Sequence, residues 1–141
     1  MDKSEQLPEV IENLDPQLRR LVHLANRYNI EVSVTVISGG QAISGQIIGG
    51  KKFFELYSNN LADAWPSQDG KEEIREAFRK GGEIYDDISG SIPLPQYIHI
   101  EHARIISPYG QTPTGGDGLL WRGRISQITG FCLGSISSSS K

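Results

Sequence analysis

The chain has 141 residues, 37% hydrophobic and 22% charged, with a net charge of −3 and a single cysteine. That balance fits one domain with its own core, and the lone Cys132 excludes an internal disulfide, so a reducing, cytoplasmic setting is expected. No apolar run approaches the roughly 18 residues of a membrane span, the acidic start lacks the pattern of a signal peptide, and no dense basic stripe marks a nucleic-acid binder.

Residues 1–13 read as a disordered acidic tail, without a sustained apolar period. Asp15-Pro16 then opens a helix over about 15–28: the carboxylate accepts from free first-turn amides, proline suits the first helical position, and Leu18, Leu21, Val22, Ala25 and Tyr28 recur on one face. Asn29 ends it. In "IEVSVTVISGGQAISGQIIGG", Ile30, Val32, Val34 and Val36 alternate with Glu31, Ser33 and Thr35, which is the period of a half-buried strand. Gly39-Gly40 forms the hairpin turn, Ile43 to Ile48 the return strand, and Gly45 marks a bend or bulge within it.

Phe53, Leu56, Tyr57 and Leu61 fit a short helix within 51–61. Asp69 and Glu72 make a capping box for a second helix carrying Ile74, Ala77 and Phe78 and closed by Gly81-Gly82, so residues 51–82 form a helical insert. Three further strands follow, "YIHIEHARIIS", "LLWRGRISQI" and "FCLGSIS". The first two are separated by the loop "PYGQTPTGGDG", the last two by a tight reversal at Thr129-Gly130. Residues 137–141 read as a disordered serine-rich tail. The expected fold is α+β: a small five-stranded antiparallel sheet or partly closed barrel, in Sm-like order, with an N-terminal helix over one open end. Residues 14–136 make its single domain.

Chemistry-bearing clusters are few. His99, Glu101 and His102 are the one histidine–carboxylate group, but in a regular strand His102 points away from the other two, which favours a polar strand face over a metal site. His23 has no carboxylate one turn on, and no serine stands in a nucleophile-elbow setting. Cys132 lies in an apolar run as a small buried hydrophobe. The glycine pairs at 39–40, 49–50, 81–82 and 115–116 lack a P-loop lysine and read as turns, and Asp86-Asp87 reads as a solvated turn. No catalytic residue, metal or cofactor is expected.

Trp121-Arg122-Gly123-Arg124 is the remaining signal. In a strand, Trp121, Gly123 and Ile125 share one face while Arg122 and Arg124 share the other, where Arg104 of the neighbouring strand can join them. Such a ladder either holds phosphates or carboxylates, pairs internally with Glu101, or keeps a strand face wet. Arg104, Trp121, Arg122 and Arg124 are therefore the candidate interaction residues.

Two segments, "LVHLANRYNIEVSVTVISGGQAISGQIIGGKKFFE" and "YIHIEHARIISP…LLWRGRISQITGFCLGSI", together about half the chain, resemble the gas-vesicle accessory family GvpU. The pattern W-R-G-[RK]-[IL]-x-x-[IV]-x-G-F-x-L-G in the second is the more specific. The resemblance implies a non-enzymatic protein associated with gas-vesicle assembly and clustering, in contact with the shell or other gas-vesicle proteins and forming homo-oligomers, with no catalytic residue to transfer. The alternative suggested by strand order is an Sm-like RNA-binding or other oligomeric module, which the net negative charge disfavours.

Overall fold

The computed structural model describes residues 14–86, 92–113 and 116–136; the expected tails at 1–13 and 137–141 lie outside them. Helix α1, Pro16–Tyr28, starts and stops as its sequence dictates. The Asp15 carboxylate accepts from the Gln17 and Leu18 amides at 2.8 and 3.4 Å, and Asn29 takes the left-handed conformation at φ 57° while its N–H closes on the Ala25 carbonyl.

Strands β1 (Val32–Ser38) and β2 (Gln41–Ile48) form the expected hairpin, turning through Gly39 and Gly40 at positive φ. Helices α2 (Gly50–Asp63) and α3 (Lys71–Arg79) follow, with a 3-10 turn over Lys80–Tyr85. Next come β3 (Tyr97–Ser107), β4 (Gly110–Gln111), β5 (Leu119–Arg124) and β6 (Gly130–Leu133). The antiparallel sheet runs β4-β3-β2-β1-β6, with β5 on the same side of β3 as β4. The fold is thus α+β with six strands. The added strand lies inside the expected loop "PYGQTPTGGDG", because β3 turns back at once and Gln111 re-pairs with Ile106.

Of the two expected forms, open sheet and partly closed barrel, the structure takes the open one: no ladder joins β5 to β6. The tight reversal expected at Thr129-Gly130 is absent, since β5 and β6 occupy opposite edges of the sheet. The strand ends at Arg124 because Ile125 turns into the core, 1% exposed, donating its N–H to the Gln96 carbonyl at 2.9 Å and opening a 3-10 turn over Ile125–Gln127. Five residues therefore join two edges that would lie about 19 Å apart in a flat sheet, so the sheet curls. Its concave side holds Val34, Val36, Ile43, Ile47, Ile98, Ile100 and Ala103 against Leu18, Val22 and Ala25 of α1.

Other expectations are corrected locally. The Asp69–Glu72 capping box does not form: Gly70, at φ 84°, is the residue before the helix, and Glu72 pairs with Arg75 instead. Gly49-Gly50 and Gly81-Gly82 are close-packing points rather than turns, since a Cβ on Gly50 would lie 2.3 Å from the Tyr85 ring and one on Gly81 2.6 Å from that of Phe54. The helix does not close at Gly81-Gly82 but runs on as the 3-10 turn. Gly116 has positive φ, and Gly115 lies outside the described residues. Asp86 is no free turn residue, being ion-paired with Lys51 at 2.7 Å; Asp87 is outside the description. Cys132 is exposed, because it faces away from the core opposite Thr35 on an edge strand.

The bulge expected at Gly45 is present and shapes β3. Gly45 alone spans the gap between the Ser44–Arg104 and Gln46–Glu101 pairs, so His102 is the extra residue and takes φ 58°. A Cβ on Gly45 would lie 2.7 Å from both the Glu101 carbonyl oxygen and Ile100 Cγ2. Gly45→Ala is expected to destabilise the fold by about 2–4 kcal/mol, whereas His102→Gly, which relieves an unfavourable φ, changes it by less than about 1 kcal/mol. Urea-midpoint measurements on both variants check this, and equal midpoints for Gly45→Ala and the parent would refute the tight bulge.

Candidate functional site

The β3–β5 ladder places Arg122 opposite His99 and Arg124 opposite Tyr97. Both guanidiniums turn onto aromatic rings. Arg122 Cζ lies 3.9 Å from the centroid of Tyr97, 5.3 Å from Phe54 and 5.9 Å from Phe53, while Arg124 Cζ lies 5.5 Å from Tyr97. Both arginines are exposed, but Arg122 lies over rings from both β3 and the insert, whereas Arg124 meets only Tyr97. Internal pairing with Glu101, one of the alternatives raised by the sequence, is not made by Arg122 or Arg124 among the described residues. Lys52 of α2 takes that carboxylate at 2.9 Å and Glu31 at 2.6 Å, and the hydrogen bonds it donates, that to Glu31 first, raise the Lys52 pKa above the ordinary lysine value.

His99 is not on a wet face. It is fully buried, with its ring 4.4 Å from Phe53 and within ring-contact distance of Phe54 and Tyr85. Burial, with the Arg122 charge second, lowers its pKa from 6.5 to about 3, so the ring is neutral at physiological pH. Neither ring nitrogen has a hydrogen-bond partner among the described residues. His102, expected to point away from Glu101, is rotated by the bulge so that Nε2 comes within 3.1 Å of Glu101 Oε2.

Arg104 shares the outer face with Arg122, because the bulge resets the alternation of β3, but it pairs in register with Ser44 rather than joining the other two arginines. Because of the bulge it stands four β2 positions, about 13 Å, from His99. It lines a cleft of about 260 Å³ with Ser33, Ser44, Gln46, His102 and Ser135, and donates to the Gly116 carbonyl at 3.3 Å. Trp121 faces the other way. It is half-buried and packed against the core, with its indole folded over Gly123, where a Cβ would lie 2.3 Å from Cη2. The four candidate residues therefore occupy three separate settings. What sequence reasoning missed is the aromatic floor of Phe53, Phe54, Tyr85 and Tyr97; the signal was the consecutive Phe53-Phe54 on a helix and the strand alternation of Tyr97 with His99.

A family model described as Gas vesicle protein GvpU-like matches residues 15–136, which spans the helix, all six strands and the insert. The chain belongs to this family. The match includes the central insert, which the resemblance in the sequence did not reach. No curated protein and no solved structure matches the chain. Membership makes this a gas-vesicle-related protein, and among the described residues no helix is long and apolar enough to cross a membrane.

Two outcomes follow from the aromatic box. The His99 pKa is about 3 in the folded protein and near 6.5 in the unfolded chain, so the unfolded chain gains the proton first. Its contribution to stability is complete above pH 6.5 and is lost toward pH 3, at about 1.4 kcal/mol per unit. Between pH 7.5 and 5 the parent should lose about 2 kcal/mol more than His99→Leu, measured by denaturant titration at each pH; parallel losses would show that His99 is not the buried titrating group. Arg122→Ala should cost about 1 kcal/mol through lost stacking on three rings, and Arg124→Ala less than half of that, by the same measurement.

Proposed function

We propose that this protein is a non-enzymatic accessory in gas-vesicle assembly and clustering, acting in the cytoplasm through self-association and contact with the vesicle shell or other gas-vesicle proteins. Beside family membership, one observation supports the reading: an apolar ledge rimmed by arginine. The Arg124–Tyr97 stack borders a cleft of about 300 Å³ lined by Ile84, Tyr85, Pro93, Leu94 and Pro95, in which Ile84 and Leu94 are exposed. Aromatic, arginine and apolar groups gathered at one place are the composition of an interface centre. Of the four candidate residues, Arg124 is the one beside the ledge, while Arg122 shares its Tyr97 ring and Trp121 holds the strand to the core.

Self-association has a second support. Strand β6 pairs only with β1 among the described strands, and its Leu133 is 66% exposed. A short edge with an exposed leucine suits strand addition by another copy.

The test is flotation of full-length protein with isolated, nuclease-treated gas vesicles, with light scattering as the clustering readout. Co-flotation is expected, reduced about tenfold by Arg124→Ala or Ile84→Asp. Leu133→Lys should lower clustering while leaving the docked fraction unchanged. Protein that stays in the subnatant at low and moderate salt, or floats only before nuclease treatment, would overturn the shell-contact reading.

A further inference from the structure

A neighbouring cleft, on the α1 side of Leu94, carries a charge that the fold itself does not satisfy. Arg19 lies one turn into α1, beside the buried residues Leu18 and Val22, and is only 5% exposed. Its Nε donates to the Pro95 carbonyl at 3.4 Å, and its Nη1 is buried without a hydrogen-bond partner. Four residues on, and so on the same helix face, His23 also buries Nδ1 without a partner. Both side chains line a cleft of about 170 Å³ completed by Pro16, Arg20 and Leu94. Asp15, the nearest carboxylate in sequence, is engaged with the Gln17 and Leu18 amides.

A guanidinium taken out of water without a counter-charge is costly, and proteins normally compensate it by pairing. Arg19 and His23 both line a cleft walled also by Pro16 and Leu94, so a small rotation of either side chain would turn its unpartnered buried nitrogen onto an anion lodged there, with the imidazole as its Nδ1–H tautomer. We propose that this cleft binds the side-chain carboxylate of an acidic segment of a partner protein. The donor set matches the two oxygens of a carboxylate, whereas a phosphate would set further oxygens against Pro16 and Leu94. The space suits one side chain rather than a whole metabolite, for which sites usually begin near 300 Å³. Leu94, 49% exposed, covers the alkyl stem, and Arg20 at the rim meets a second acidic residue. The inference goes beyond the vesicle reading and does not depend on it.

The experiment uses the full chain without vesicles. The Arg19 Nε–H resonance is followed by NMR during titration with a blocked tripeptide carrying glutamate at its centre, then with the glutamine counterpart and with inorganic phosphate. A saturable shift with the glutamate peptide is expected, with the glutamine peptide at least about tenfold weaker and phosphate not competing. Leu94→Glu places a carboxylate at the mouth, so it should raise the melting temperature and suppress the titration. This variant decides the matter even if Arg19→Met fails to fold. Equal binding of the glutamine peptide, tighter binding of phosphate, or a titration unchanged by Leu94→Glu would overturn the proposal.

Discussion

The left-handed turn of His102 against Gly45 is the constraint on which the rest of the sheet depends. Strand β3 touches β2 on one side and both β4 and β5 on the other, so its phase decides which side chains of three strands face the core. Without the extra residue, the alternation that buries Ile98 and Ile100 would continue inward through His102 and Arg104. With it, Ala103 and Ile105 take the core positions and Arg104 is returned to the outer face with His99. One small residue makes this possible, because β3 backbone passes where any side chain at Gly45 would have to sit. The added twist at a bulge also suits a sheet that must bring two distant edges within reach of a five-residue link.

A curled sheet has two sides to protect, and the chain covers them by different chemistry. The concave side is closed by α1 chiefly through the aliphatic Leu18, Val22 and Ala25. The outer side is covered near His99 by α2, through rings: Phe53 lies on His99, and Tyr85 lies on the bare face of Gly50. The insert is also anchored at its start, where the Asn26 side chain of α1 accepts the Gly50 amide at 2.8 Å. Lys52, two residues further, is bound to Glu31 and Glu101. These ties link α1, α2 and β3, so residues that arrive as an insertion in sequence act as part of the sheet's outer layer.

Much of this was legible in advance because local chemistry decides it. Asp15-Pro16 and Asn29 bound α1 by capping alone, the alternation around Val34 and Val36 defines a strand, and Gly39-Gly40 and Gly45 carry their own backbone requirement. The misreadings share a different origin. Cys132 and His99 exchanged their expected settings, since burial depends on which strands become edges and where a distant helix lands, and neither is encoded within a few residues. The capping box at Asp69 obeyed a valid local rule but lost to Gly70, whose conformation starts the helix later. The bulge was visible at Gly45, but its consequence for Arg104 and His102 lay on a neighbouring strand.

The arginines show the same distinction between residue type and setting. Arg122 and Arg124 are two positions apart on one strand face and both exposed, yet the first lies over three rings while the second meets only the last of them. Stacking keeps a guanidinium near apolar surface at low desolvation cost because its faces are weakly hydrated and its edges stay free to donate. Arg19 has no ring contact and only one weak donation, to Pro95, so its burial rests on the aliphatic stem and leaves its edge unused. A cation whose face is covered is part of the structure. One whose edge is buried without a partner still has recognition capacity to spend, which is why the α1 cleft, and not the more conspicuous arginines of β5, is where a specific anionic group fits.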